Sequence, residues 1–101
     1  MTDAGLAHLK ELKSLTSIAL EATQVTDAGL AHLKEIKSLT WLGLAGTPVS
    51  DLGLVHLKEL KGLTYIDLQK TKVTAKGLEA FHAALPACRI QHDGGTIEPK
   101  K

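Results

Sequence analysis

His8, His32 and His56 stand 24 residues apart, each at the same place in a repeated segment. Imidazoles in such a column are the residues that a zinc or copper ion would take. Two arguments count against coordination. Helices carrying them would pack about 8–10 Å apart, which strains two-His coordination between neighbours, and no carboxylate or thiol joins them at close spacing. Inheritance through the repeat explains the column without a ligand. Cys88 is the single cysteine, so the chain has no internal disulfide and no cysteine-pair metal motif. No general base is tied to it by motif, and it reads as a small buried residue rather than a nucleophile. Phosphate loops, nucleophile elbows, paired carboxylates and dinucleotide fingerprints are all missing. The expectation is a protein that is not an enzyme and carries no metal and no cofactor.

The elements that place these residues come from the repeat. Thr2–Val25, Thr26–Val49 and Ser50–Val73 align without a gap at a period of 24, and 74–97 is a degraded fourth unit of the same length. In each unit apolar residues first recur every three positions, as Leu6, Leu9 and Leu12, then Leu30, Leu33 and Ile36, then Leu54, Leu57 and Leu60. This spacing predicts the inner stripe of a short helix. Thr2, Thr26 and Ser50 are placed to cap these helices, and Asp3, Asp27 and Asp51 to put negative charge on the positive end of the helix dipole. Gly5, Gly29, Gly53 and Gly77 fall inside the first turn, where glycine costs about 1 kcal/mol relative to alanine. A close backbone contact is the expected reason. Next come alternating residues such as Ile18 and Leu20, the mark of a brief strand with one buried face. One strand per unit, always returning in the same direction, predicts a parallel sheet with the helices on the opposite side.

The units read L-x-x-[IL]-x-L-x-x-T-x-V after a T-D-x-G-L-x-x-L helix half. This resembles the leucine-rich-repeat family, in its 24-residue bacterial-type form and more distantly in its ribonuclease-inhibitor class. The resemblance implies an α/β fold: a right-handed solenoid of about four strand–helix units with a parallel sheet on the concave face, which in that family is the usual binding surface. Where the family carries Asn, Thr23, Thr47 and Thr71 stand here. A hydroxyl bonds less than an amide does, which predicts a thinner hydrogen-bond ladder along that turn.

The outward strand positions of the four units are then Ser17, Ala19 and Glu21; Trp41, Gly43 and Ala45; Tyr65, Asp67 and Gln69; and Arg89, Gln91 and Asp93. Strands about 4.8 Å apart set Trp41 beside Tyr65, with Arg89 next in the row. The only Trp and the only Tyr thus project from one outward face, whereas Phe81 takes a core leucine position. Trp, Tyr and Arg are enriched at binding hot spots. Small Ala19, Gly43 and Ala45 predict a shallow depression beside them, flanked by Glu21, Asp67 and Asp93. The candidate partner site is Trp41, Tyr65, Arg89, Asp67, Gln69 and Glu21, with a cross-strand aromatic pair that merely stabilises the sheet as the competing reading.

A net charge of +1 from 12 Lys and Arg against 11 Asp and Glu supplies no field for nucleic acid or anionic membrane. The expected partner is a protein. Columns of Lys10, Lys34 and Lys58 and of Glu11, Glu35 and Glu59 are expected to solvate the convex face and pair weakly between units. Met1 leads into Thr-Asp-Ala-Gly with no signal-like run, and no stretch of about 18 apolar residues exists to span a bilayer, so the chain reads as cytoplasmic. Residues 1–101 are read as one domain with a tail over 98–101. The C-terminal end looks closed, by Pro86, by His92 in place of the inward leucine, and by a turn at Asp93-Gly94-Gly95. The N-terminal end looks open at Leu6, Leu9, Leu12, Leu15, Ile18 and Leu20 and at the edge of the first strand. A homodimer through that end, or a C-terminal regulatory fragment of a larger signalling protein, are the alternative readings.

Overall fold

The computed structural model describes residues 2–9 and 11–99. Lys10, the first member of the lysine column, and Lys100 and Lys101 of the tail lie outside the described residues. Four helices, α1 (Asp3–Leu9), α2 (Asp27–Leu33), α3 (Asp51–Leu57) and α4 (Ala75–Ala84), alternate with strands β1 (Ser17–Ala19), β2 (Trp41–Gly43), β3 (Tyr65–Asp67) and β4 (Arg89–His92). A fifth strand, β5 (Gly95–Ile97), closes the chain. The result is an α/β fold in which each helix packs on the next and one five-stranded sheet runs in the order β1-β2-β3-β4-β5. The apolar core lies between helices and sheet and joins residues of both, such as Leu30, Leu33, Leu42 and Ile66.

The leucine spacing of three belongs only partly to helix. α2 and α3 stop at Leu33 and Leu57, and Ile36 and Leu60 lie beyond them in tight turns. Ile36 N–H donates to Leu33 O at 2.9 Å, Leu39 N–H to Ile36 O at 3.2 Å, and Leu60 N–H to Leu57 O at 3.0 Å. A repeat of three residues matches the three-per-turn geometry of 3₁₀ bonding, whereas an α-helix at 3.6 would rotate the third leucine away from the core. The expected helices are therefore shorter, and their stripe continues through turns. Ile36 and Leu60 are still fully buried.

Strand pairing is parallel from β1 to β4 with a constant step of 24. Ser17 lies opposite Trp41, Trp41 opposite Tyr65 and Tyr65 opposite Arg89, while Ile18, Leu42, Ile66 and Ile90 form the inward row. β5 departs from the all-parallel expectation. It turns back at Asp93-Gly94 and pairs antiparallel to β4, with Ile90 opposite Ile97. This covers the last parallel edge, which would otherwise present unpaired backbone groups. α4 is also longer, at 10 residues against 7. Its extra turn shifts the chain, so that Cys88, aligned with the exposed Thr16, Thr40 and Thr64, is fully buried instead. Burial pushes its thiol up to about 12, which leaves it protonated and unreactive.

The joint between units depends on residues expected to serve their own helix. Asp3, Asp27 and Asp51 stand in the first turns of the helices that they begin, as expected for the dipole, and they have a second role. Their carboxylates reach forward into the next unit, where each accepts from a backbone N–H and a hydroxyl. Asp3 takes Thr26 N at 2.8 Å and Oγ1 at 2.5 Å. Asp27 takes Ser50 N at 2.7 Å and Oγ at 2.5 Å, and Asp51 takes Thr74 N at 2.8 Å and Oγ1 at 2.6 Å. Ser50 accordingly makes no side-chain cap bond, whereas Thr26 and Thr74 keep weak ones to Ala28 N and Gly77 N.

The same carboxylates explain the helix glycines. A Cβ at Gly53 would lie 2.5 Å from Asp27 Oδ1 and 2.6 Å from Leu30 Cδ1, and Cβ atoms at Gly29 and Gly77 would collide with the carboxylates of Asp3 and Asp51. The close contact is thus with a side chain and not with backbone. Thr23, Thr47 and Thr71 form no ladder between units. Each hydroxyl donates three residues back within its own unit, to Leu20 O, Leu44 O and Leu68 O. One residue earlier, Ala22, Gly46 and Lys70 all have positive φ, at 57°, 76° and 56°. Only Gly46 adopts that conformation without steric cost.

The N-terminal end is less open than expected. Leu6, Ile18 and Leu20 are buried by their own unit and the next, and only Leu9, Leu15 and Leu12 remain partly uncovered, with Leu12 50% exposed. On the helical side the ion pair between units is Lys37 Nζ–Glu59 Oε1 at 3.5 Å, both ends exposed, and so worth at most about 1 kcal/mol. Among the described residues no helix is long and apolar enough to cross a membrane.

Candidate functional site

Alternation along each strand sends Ile18, Leu42, Ile66 and Ile90 into the core and their neighbours outward. Because the register repeats, Trp41 and Tyr65 come face to face. Their ring centroids are 5.6 Å apart and their planes 14° from parallel, an offset stack of the kind worth about 0.5–1.5 kcal/mol beyond its buried area. Both rings are half-buried. Ser17, opposite Trp41 on the other side, is small and exposed, so nothing on β1 rivals the stack in size.

The polar residues predicted around the stack divide into free and occupied groups. Arg89 lies next in the row but is held by Glu98, with Nε and Nη2 each 3.1 Å from Glu98 Oε1. Asp67 Oδ1 accepts from Gln69 N at 3.0 Å, and Asp93 Oδ1 from Lys70 N at 2.9 Å. These two carboxylates shape the loops after β3 and β4. Gln91 Oε1 accepts from the Thr96 hydroxyl at 2.7 Å and ties β4 to β5. Glu21 takes a position that its own unit does not suggest. Its carboxylate and Trp41 Cη2 fold over Gly43, where a Cβ would strike both, and Gly43 is buried. The depression expected at Gly43 is therefore filled. Glu21 and Gly43 act as a pair, and a larger residue at 43 would displace the carboxylate and the indole edge.

Glu98 is absent from the sequence-predicted site. It lies beyond the fourth unit, and only the reversal of β5 brings it back to β4. The structure joins Trp41, Tyr65, Glu21 and Asp67 around one spot, with Arg89 opposite Tyr65 and paired to Glu98. Tyr65 reports on this setting. Burial raises its hydroxyl pKa above the ordinary 10.0, the charges of Asp67 and then Glu21 raise it further, and Arg89 opposes them. Since this is the only tyrosine, near-ultraviolet absorbance against pH reads it alone. Asp67→Asn is expected to bring the midpoint down without restoring the ordinary value, because burial is the larger cause, and Arg89→Gln to move it further up. A midpoint unmoved by Asp67→Asn would show that the carboxylate is screened from the ring.

Compared with known proteins, the chain matches no family model and no curated protein. Among the described residues, no three or more His, Cys, Asp or Glu side chains come together as metal ligands.

Proposed function

We propose that the chain is a non-catalytic protein-binding module, a right-handed leucine-rich-repeat solenoid of about four units that holds a partner protein on the concave, outward face of its sheet. The observation that carries this reading is the Trp41–Tyr65 stack. Aromatics make up 3% of the chain; Phe81 is in the core and the other two are stacked on the outward face. The stack also stabilises the sheet, but Trp and Tyr are at the same time the residue types enriched at binding hot spots. A wide, rigid, amphipathic pair at the centre of a face is what anchors an interface. Glu21 and Asp67 beside the rings, with Arg89 neutralised by Glu98, favour a partner segment that brings a positive charge. A single buried Cys88 with no disulfide partner fits a reducing cytoplasm.

The test is selection of a displayed random-peptide library on the natural protein, with Trp41→Ala/Tyr65→Ala as counter-bait. Binders are expected to lose at least about 30-fold in affinity for the double variant, following the ~2 kcal/mol typical of a hot spot, while its circular dichroism is unchanged. Binders that hold the folded double variant equally well would refute the reading.

A further inference from the structure

The solvent-facing stripe of α3 breaks the repeat. Units one and two carry alanine at its two outermost positions, Ala4 and Ala7 in α1 and Ala28 and Ala31 in α2, whereas α3 has Leu52 and Val55 there. Spaced three apart, the two lie on the side of the helix opposite the buried Leu54 and Leu57, and they are 72% and 55% exposed. Neither contributes to the core, and valine is a poorer helix former than the alanine it replaces. Local stability therefore does not account for the change. Ala28 and Ala31 on one flank and the exposed Ala80 and Ala83 on the other continue the apolar surface, and a contiguous surface of this kind marks a contact. We propose that this face is a dimer interface, on which α3 packs antiparallel against α3 of a second copy of the chain.

The charges beside the patch select the occupant. α4 packs on α3 and has Lys76 and Glu79 at the positions equivalent to Leu52 and Val55. Both are exposed, and among the described residues neither has an ion-pair partner. Opposite charges in this order make the face complementary to itself in one orientation, as a two-fold interface requires. With the axis running across the helices between Leu52 and Val55, the partner's Val55 meets Leu52 and the partner's Leu52 meets Val55. Lys76 then meets the partner's Glu79, and Glu79 the partner's Lys76. With the axis along the helices, α4 would lie over the partner's α2 instead, and both charges would rest unpaired on alanines, at a cost in desolvation. The small side chains of α2 keep that flank low, so that two convex surfaces can touch at the taller residues of α3.

The helices lie on the side of the fold opposite the outward row of the sheet. In such a dimer the two Trp41–Tyr65 stacks point away from each other, and two partner segments can be held at once. The interface itself does not depend on what the outward sheet face holds.

Sedimentation velocity of the full chain over about a hundredfold range of concentration is the test. A reversible shift from monomer to dimer is expected at the upper end of the range, since a patch this small belongs to the weak class of interfaces. Leu52→Ala/Val55→Ala restores the residues of units one and two, so it should leave the circular dichroism unchanged and keep the chain monomeric throughout. Lys76→Glu sets like charges against each other at two places and should weaken dimerisation about 10-fold. Lys76→Glu/Glu79→Lys exchanges the charges and should recover it. A natural chain that stays monomeric, an association indifferent to Leu52→Ala/Val55→Ala, or a charge exchange that recovers nothing would overturn the proposal. So would binding of the monomer to phosphatidylcholine vesicles that is lost in Leu52→Ala/Val55→Ala, which would make the occupant a lipid surface.

Discussion

Asp27→Ala is expected to lower the free energy of unfolding by about 2–4 kcal/mol, because one carboxylate accepts two charge-assisted bonds across the joint between the second and third units. Its loss leaves the Ser50 amide without a partner at a half-buried site. For a domain of this size such a change lowers the melting temperature by roughly 10–20 °C. The informative variant is its neighbour. Gly53→Ala alone should also destabilise, by about 1–3 kcal/mol, since the new methyl must displace Asp27 or Leu30. In the double variant the carboxylate is gone, the methyl occupies its place and Leu30 needs only a rotamer change. The combined loss should then fall at least about 1 kcal/mol short of the sum of the two. Chemical unfolding of the four proteins measures this, and simple additivity would mean that the carboxylate and the glycine do not share one joint.

Phe81→Ala should be the most damaging single truncation, at about 3–5 kcal/mol, a large part of the roughly 5–15 kcal/mol that holds a domain together. Phe81 is fully buried and heads the largest buried side chains. It fills the place taken by Leu33 and Leu57 in earlier units, in the unit whose strand β5 covers. Leu12→Ala, at the opposite end, should cost under about 1 kcal/mol, since half of that side chain is already in water. Trp41 fluorescence during urea unfolding follows both. Equal losses at the two ends would contradict the asymmetry, which also predicts that amides of the first unit exchange soonest.

Much of the architecture was legible because a repeat multiplies weak signals. A single L-x-x-I-x-L segment is ambiguous, but three at one period require parallel strands in register, and that register alone brings Trp41 beside Tyr65. The placement of Phe81 in the core followed from the same alignment, whereas that of Cys88, aligned with exposed threonines, followed from its residue type. The helix ends were misread because a spacing of three serves both an α-helical stripe and consecutive 3₁₀ turns, and one sequence period cannot separate them. The second role of the aspartates was missed because a carboxylate at a helix start already has a local role there, and its other partner lies 23 residues away. β5 escaped notice because Gly95–Ile97 aligns with Thr71–Val73, which form no strand, and with it went the pairing of Arg89 and Glu98.

What the sequence determined by itself is the set of features that depend on periodicity: strand order along the first four strands, the inward and outward rows, and the aromatic pair. These follow from alternation and a constant step, both local properties of the chain. Tertiary structure decided where carboxylates go. Asp3, Asp27 and Asp51 reach into the following unit, Glu21 folds over Gly43, and Glu98 returns to Arg89. A charged group settles where hydrogen-bond donors and free volume coincide, and that coincidence exists only once two units are packed together.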